Sequence, residues 1–553
     1  MSDDRKPSVQ PQVEQFASEP PQGKGLRRVA AIDVGTNSTH LLIALVDPQL
    51  RSFSVLLAEK STTRLGERDP ETGELSVEAM ERARLALRHC CDLARSHGVE
   101  EIVCVATSAM REAPNGMAFL AEVEQELGLS TEVISGAEEA RLIYLGVLSG
   151  MDFGDQPHLI LDIGGGSTEL ILADANDARA LTSSRVGAVR LQRDFVRRDP
   201  LEPERATFLK AFIQGCLEPA VEKVKQRLKP GAQPIFVATS GTALAAASLL
   251  SESQTRSNRL HGLAFQRADL EALVQRILPL NCEQRRQLSG INDRRAEIIV
   301  PGLLVLQTAM ELLQAEQFVI SERALREGLI IDWMLRHDLI VDRFSYQSEI
   351  RRRTVLHQAR KFGVAIDRAE RVAGYALSLF DQTRGSFHQE QEWARQLLWA
   401  AAVLHSSGLH IATSGYHKHS WYLINHGELL GYNHDEQLVI ASLARYHRRS
   451  LPKKRHDSWA LLDRDQRRLV ERLSLLLRLA VAIDRRPEGP VASLQAECSG
   501  SKLSIKLQPS DAADDLSLEL WSLQSCAPVI EQAAAVQLRS GLLKASRRQP
   551  QPV

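Results

Sequence analysis

The sequence predicts an α/β protein with two related half-domains facing each other across a cleft, followed by an all-α domain and a small α+β module. Three observations carry this. His158–Ala173 reads HLILDIGGGSTELILA, an apolar strand ending in Asp162, three glycines, Ser167-Thr168 and a second apolar strand. The pattern recurs in Val29–Asp47, VAAIDVGTNSTHLLIALVD, where Asp33-Val34-Gly35-Thr36-Asn37-Ser38-Thr39 matches Asp162-Ile163-Gly164-Gly165-Gly166-Ser167-Thr168 position for position. From about Phe344 the texture changes to helix after helix with many histidines. A strand that ends in a carboxylate and turns through glycines brings bare backbone N–H groups close to a partner. Such groups form an anion nest, against which the neighbouring Asp can hold a metal. One such hairpin is an ordinary Gly turn; two of them, about 130 residues apart, point to a duplicated architecture.

At 553 residues the chain exceeds one core, and roughly 100–200 residues per domain suggests three or four domains. Hydrophobic content of 44% and charged content of 25% are those of an ordinary globular protein. The net charge of −1 carries no global argument for a polyanionic partner, so any such argument must be local, and no nucleic-acid partner is expected. The seven cysteines are scattered and include no CxxC, which fits a reducing compartment with neither a disulfide framework nor a zinc site. No apolar run reaches the roughly eighteen residues of a membrane span, and the N-terminus lacks the apolar core of a signal peptide. A cytoplasmic protein with no membrane partner is expected.

Residues 1–25, rich in Pro, Gln and Ser, read as a disordered tail. A first half-domain is assigned to 26–143 and a second to 144–340. After the first hairpin, Phe53–Lys60 makes a third strand, Ser76–His97 an amphipathic helix and Glu101–Ala106 a buried strand. That strand runs into Thr107-Ser108-Ala109-Met110-Arg111, a hydroxyl pair and an Arg just past a strand's carboxyl end, where α/β sheets bind ligands. Arg offers a planar fork suited to phosphate oxygens; a surface Arg in a helix's first turn is the plain alternative. A helix near Gly116–Glu126 and a strand Thr131–Ile134 lead to Ser135-Gly136-Ala137-Glu138-Glu139-Ala140-Arg141. Ser135 can cap the next helix, with Glu138 closing a capping box. Adjacent helical residues point roughly 100° apart, so Glu139 faces elsewhere. Facing the cleft it could act as a general base on water, a role that spacing alone leaves open.

In the second half, Ala180–Val186 is a strand, followed by a basic stretch with Arg185, Arg190, Arg193, Arg197 and Arg198, and Glu202–Leu228 a long helix. Strand Pro234–Ala238 ends in Thr239-Ser240-Gly241-Thr242, a third candidate phosphate loop, with a helix from Ala243. Helices dominate Ala268–Ala315, where Pro301-Gly302 interrupts the apolar pattern. Phe318–Ile320 is a last strand and Ala324–Leu335 a closing helix. A helical domain is assigned to 341–490. A small α+β module at 491–546 contains strands Lys502–Leu507 and Leu516–Leu520 and a helix Ala527–Arg539, and 547–553 is a polar tail.

The duplicated D-[IV]-G-x-[NG]-S-T hairpin resembles that of the sugar kinase, heat-shock ATPase and actin superfamily, which implies two actin-like (ribonuclease H-like) half-domains. Within it the chain closely resembles the exopolyphosphatase/guanosine pentaphosphate phosphatase (Ppx/GppA) family. The matching elements, in family order over roughly residues 28–335, are AAIDVGTNSTHLLIA, ATSAMRE, ISGAEEARLIYLGV, LILDIGGGSTELIL, ATSGTALA, NDRRAEIIVPGL and ALREGLI. VLHSSGLHI, SGYHKHSWYLI and LARYHRRS resemble the C-terminal half of the long four-domain members. The resemblance implies hydrolysis of a terminal phosphoanhydride, on inorganic polyphosphate or on guanosine pentaphosphate (pppGpp), with Mg²⁺ as cofactor. By matching position Glu139 would be the general base, Asp33 and Asp162 would hold Mg²⁺, and Arg111 would neutralise the transferred group. Gly35, Asn37, Ser38, Thr107, Gly164, Gly165, Gly166 and Ser167 would cradle the terminal phosphates, with Arg295 a further contact. The resemblance also implies a homodimer.

The helical domain resembles the HD phosphohydrolase fold, in which His357, His405 and Asp484 would be metal ligands. His405 is followed by Ser406 where that fold has Asp. With the bridging carboxylate lost, polar core histidines in a retired site are expected, and a site rebuilt from His419 and His447 is a minor alternative. The run Arg445-Tyr446-His447-Arg448-Arg449 with Lys453, Lys454, Arg455 and His456 reads as a solvated face or as an extension of a polyanion track. The leading expectation is an exopolyphosphatase. Its alternatives are a pppGpp 5′-phosphatase, a non-catalytic polyphosphate or alarmone sensor, and an ATP-dependent kinase.

Overall fold

The computed structural model describes residues 25–251, 259–340, 346, 349–511 and 513–543. The expected tails at 1–25 and 547–553 lie, apart from Gly25, outside the described residues. The first half runs β1 (Arg27–Val34), β2 (Thr39–Asp47), β3 (Ser52–Ser61), α1 (Val77–Ser96), β4 (Glu101–Ala106), α2 (Ser108–Glu112), α3 (Gly116–Leu127), β5 (Glu132–Val133) and α4 (Gly136–Leu148). Its sheet has the order β3-β2-β1-β4-β5. The second half runs β6 (His158–Ile163), β7 (Thr168–Ala173), β8 (Ala178–Ser184), α5 (Ala188–Phe195), α6 (Pro203–Arg227), β9 (Ile235–Thr239), α7 (Ser240–Ser251), β10 (Ala264–Gln266), α8 (Arg267–Ile277), α9 (Cys282–Arg286), α10 (Asp293–Leu313), β11 (Gln317–Ile320) and α11 (Leu325–Arg336). Its sheet order, β10-β11-β9-β6-β7-β8, repeats the first with one added edge strand. β1 pairs antiparallel with β2 and parallel with β4, as β6 does with β7 and β9. The loop hairpin is therefore at the centre of both sheets. β6 and β7 are buried at every position, as their unbroken apolar runs require.

Two glycines set the contact between the halves. A Cβ on Gly146 of α4 would lie 1.8 Å from Ala324 O, and one on Gly328 of α11 would lie 1.8 Å from Leu142 O. The two helices cross backbone to backbone, which only glycine permits. α11 also packs on β1 and β2 of the first half.

Besides α7, which begins at Ser240 and not at Ala243, local expectations differ from the structure in three places. Ser135 Oγ accepts from Glu138 N at 3.1 Å, but the Glu138 carboxylate pairs with Arg141 at 2.7 Å instead of closing a capping box. α10 continues through Pro301-Gly302. A Cβ on Gly302 would meet Thr242 at 2.7 Å, so the glycine admits α7. By length and composition alone α10 could cross a membrane, but 78% of its apolar window is buried within the protein. That burial outweighs the hydrogen bond that Pro301 removes.

The remainder is α12 (Ile350–Lys361), α13 (Ile366–Thr383), α14 (Glu392–Leu404), α15 (Tyr416–His426), α16 (His434–Tyr446), α17 (Asp457–Ala460) and α18 (Arg464–Ile483), then β12 (Val491–Ser499), β13 (Lys502–Pro509), α19 (Ser517–Ala534) and β14 (Gln537–Leu542). The third difference is in the module. Leu516–Leu520 is not a strand, because Ser517 opens α19, and the helix expected to Arg539 ends at Ala534. Gln537–Leu542 is the third strand, parallel to β13. Glu519 is fully buried against Arg486 at 2.8 Å, a tertiary pairing that fixes the segment as helix. One hydrophobic core runs through the helical domain and the module.

Candidate active site

Between the two central hairpins lies a cleft of about 380 Å³. In each loop the turn is closed by a short bond, Gly35 N to Ser38 O at 3.1 Å and Gly164 N to Ser167 O at 3.0 Å. The loop carbonyls are then taken up from outside. Gly66 N donates to Thr36 O and Arg64 N to Asn37 O in the first loop. In the second, the start of α5 does the same work, Ala188 N to Gly164 O and Val189 N and Arg190 N to Gly165 O. With their carbonyls held from behind, both loops line the cleft, where an anion nest would form. The close approach of the loops explains two of the glycines. A Cβ on Gly166 would sit 2.3 Å from Ser108 Oγ, and one on Gly165 would sit 3.1 Å from Thr36 Cβ. Thr36 and Ser108 share a hydrogen bond at 2.9 Å there.

Asp33, Gly35, Asn37, Ser38, Thr107, Glu139, Asp162, Gly164, Gly165, Gly166, Ser167 and Arg295 all line this cleft. So do Thr239, Ser240 and Gly241 of the third expected loop. Ser240 adopts a left-handed φ of 72°, and its Oγ donates to Ile163 O at 2.7 Å. Gly241 makes room for Arg295, whose Nη2 lies 1.8 Å from where a Cβ would be.

Arg111 departs from expectation. It does not line the cleft. At the last turn of α2 its guanidinium is anchored by Ile134 O at 2.6 Å and reaches Glu139 Oε2 from behind, at 3.4 Å. It is placed to orient the Glu139 carboxylate.

Lining residues not anticipated from the sequence include Glu169, Arg326 and Lys60, with His40, Glu59 and Glu322 beside them. Glu169 stands directly across the β6–β7 pair from Asp162. Its signal in the sequence is a lone charge within the apolar TELILA strand. Arg326 lies in the ALREGLI element, and Lys60 at a strand end carries no local signal. Glu169 is held by Ser183 Oγ at 2.7 Å.

The electrostatics divide the cleft into an acidic floor and a basic wall. Burial pushes Asp33 up to about 7, with Arg326 opposing and Asp162 and Glu327 adding to it. Burial likewise raises Asp162 to about 6 and, with Asp162 beside it, Glu169 to about 8. Burial and Glu169 hold Glu139 well above the usual carboxylate range, against Arg111. On the wall, burial lowers Arg295 to about 10, and burial with the neighbouring Arg295 and Arg326 lowers Lys60 to about 8. Carboxylates crowded in this way, with Asp33 Oδ1 buried and lacking a hydrogen-bond partner, are hard oxygen donors short of a cation. Among the described residues no three His, Cys, Asp or Glu side chains converge as a complete metal site. Two carboxylates with substrate oxygens and water in the remaining positions suit Mg²⁺.

Among the described residues His357, His405 and Asp484 do not come together as a group of three metal-ligating side chains. Asp484 is held by Arg368 and Arg371 at 2.6 and 2.7 Å. His357 faces Ser52 of β3 at 3.4 Å. His405 and His447 do lie together, with ring centroids 5.1 Å apart, but each Nδ1 is bonded to a backbone oxygen at 2.6 Å and His447 Nε2 is bonded to Tyr416 OH at 3.1 Å.

Two sheets of one plan, each turning an Asp-ended central strand through a glycine loop over a shared cleft, define the actin-like ATPase fold. The chain belongs to the Ppx/GppA phosphatase family. The family model matches residues 42–337, and that of Ppx/GppA phosphatase domain III matches 350–526. The chain is 30% identical over 487 residues to the guanosine-5′-triphosphate,3′-diphosphate pyrophosphatase of Vibrio vulnificus, covering 86% of this chain and 91% of that protein. Among solved structures it is similar to an exopolyphosphatase from Cytophaga hutchinsonii, with 25% identity, TM-score 0.53, and 57% of this chain and all of that one covered. It is also similar to the Aquifex aeolicus family member, with 28% identity, TM-score 0.49, and 57% and 99% covered.

Proposed function

We propose that the protein is an exopolyphosphatase, hydrolysing the terminal phosphoanhydride of inorganic polyphosphate to orthophosphate. The observation that carries this is the lining of the cleft. It offers amide edges, three cations and six carboxylates, and no Phe, Tyr or Trp among the described residues on which a nucleobase could stack. A chain of phosphates needs nothing else.

In this reading the amide edges of both loops cradle the terminal phosphoryl group, while Arg295, Arg326 and Lys60 take up the charge of the following phosphates. Glu139 accepts the proton of the attacking water as the water oxygen bonds to phosphorus and the anhydride P–O bond breaks. Arg111 fixes the Glu139 carboxylate from behind. Asp33 and Asp162 would hold Mg²⁺, which when bound supplies neutralisation of the phosphate oxygens. Phosphoryl transfer needs little covalent help, so aligned donors and an oriented water account for most of the stabilisation.

A pppGpp 5′-phosphatase is the second reading, favoured by the name of the Vibrio vulnificus relative. Phosphate release from long-chain polyphosphate and from pppGpp, measured side by side with Mg²⁺ and with Mg²⁺ chelated, decides between them. Faster turnover of polyphosphate is expected, and faster turnover of pppGpp would overturn the assignment. Binding without release from either would indicate a sensor.

A further inference from the structure

Beside the cleft lies a second cavity, of about 300 Å³, of whose lining the mechanism uses only Arg111 and Ser167. It shares Ser167 with the cleft and is otherwise lined by different residues, among them Arg111, Gly136, Ala137, Ser183 and Arg185. Its outer end opens to solvent at Arg185, which is 81% exposed. Side chains of the two linings meet at the partition. It consists of the Arg111–Glu139 contact, long for an ion pair at 3.4 Å, and the Ser183–Glu169 hydrogen bond at 2.7 Å. The cavity's cations are Arg111 and Arg185. Its carboxylate, Glu112, is offset by Arg190 at 2.7 Å, Arg68 at 3.6 Å and Arg185 itself at 3.7 Å.

We propose that this cavity is the exit passage and transient binding site of the orthophosphate product, separate from the cleft mouth by which the polyphosphate chain enters. The proposal rests on the exopolyphosphatase reading. In an in-line displacement, water attacks on the side away from the leaving chain. Orthophosphate is therefore left at the inner end, between Glu139 and a chain that still fills the cleft. It cannot leave by the mouth until the whole chain lets go. The inner end offers an alternative, past Arg111, which would exchange its long contact with Glu139 for phosphate oxygens, and then Arg185. A further space beside Gly166 has about 10 Å³, room for one water and not for an anion.

Ala137 is exposed in the first turn of α4 and lines the second cavity but not the cleft. Ala137→Phe should plug the passage, and Arg185→Glu, on an exposed residue, should reverse the charge at its outer end. Two rates are compared on long-chain polyphosphate with Mg²⁺: phosphate formed, by acid quench, and phosphate freed, by a fluorescent phosphate-binding reporter. In both variants cleavage in the first turnover should stay within about twofold of the wild type, while release should slow by about fivefold or more. Shortened chains should then appear free in solution, because the polymer must dissociate before the product can. Release keeping pace with cleavage in both variants, or cleavage slowing in parallel with release, would overturn the passage. If the wild-type protein cleaves no polyphosphate, the exopolyphosphatase reading fails separately. The same two rates on pppGpp then test the passage alone, since orthophosphate is its 5′-product as well.

Discussion

Glu139→Gln should separate catalysis from stability in opposite directions. Glutamine keeps the size of the side chain and can still meet Arg111, but it cannot accept a proton. General-base catalysis contributes on the order of 10²–10⁴-fold, so kcat should fall by that factor, or about 2.7–5.5 kcal/mol at about 1.36 kcal/mol per decade. KM should change little, because the phosphate-facing donors are untouched. Stability should rise. Glu139 is 8% exposed and faces Glu169, Asp33 and Asp162 with only Arg111 to offset them, and relief of such an active-site conflict commonly yields about 1 kcal/mol. The gain should depend on pH. Because burial and Glu169 raise its carboxyl, Glu139 supports the fold fully below its ordinary value of 4.5, and that support is lost as pH rises through the folded value. The variant's advantage in Tm should therefore be larger at pH 8 than at pH 5. Phosphate release, substrate binding and thermal unfolding at both pH values are the assays. Activity within tenfold of the wild type would remove Glu139 as the base, and a loss expressed mainly in KM would reassign it to binding.

The same sign applies to the rest of the acidic floor. With Asp33 raised to about 7, Asp162 to about 6 and Glu169 to about 8, the metal-free protein should lose stability between pH 5 and 8. Mg²⁺ should restore more of it at pH 8 than at pH 5.5, since binding to the folded state alone stabilises by mass action; a Mg²⁺ increment in Tm that is flat with pH would refute the assignment of Asp33 and Asp162 as its ligands. Arg326→Gln should lower kcat/KM by about 10–100-fold, the worth of a charged hydrogen bond at roughly 1.5–3 kcal/mol, and a loss below about threefold would place Arg326 off the substrate. Gly328→Ala should destabilise by about 3 kcal/mol or more, because the new methyl meets the backbone oxygen of Leu142, which cannot give way. Gly215→Ala, in α6 with open space around it, should stabilise by about 0.5–1 kcal/mol, and equal behaviour of the two in thermal unfolding would contradict the backbone crossing of α4 and α11.

Elements whose character is local were legible. The two hairpins, β4 and the long helix α6 fall within a residue or two of expectation, because apolar runs bounded by Asp, Gly or Pro leave the backbone few choices. The C-terminal module was not legible. SLELWSLQSCAPVI suits either a short strand or a helix, and the burial of Glu519 on Arg486 and the pairing of β14 with β13 decide it. Arg111 follows the end of β4 as expected, but its contact with Glu139 was not legible, since the direction of a side chain depends on how α2 is docked.

The sequence by itself determined the duplication and the two glycine loops, because each depends on the chemistry of a few consecutive residues. Only the tertiary structure decided the rest. Carboxylates at 33, 139, 162 and 169 and cations at 60, 295 and 326 converge only when the two sheets close on each other. Their altered proton affinities come from the water that this closure removes, which no stretch of sequence contains.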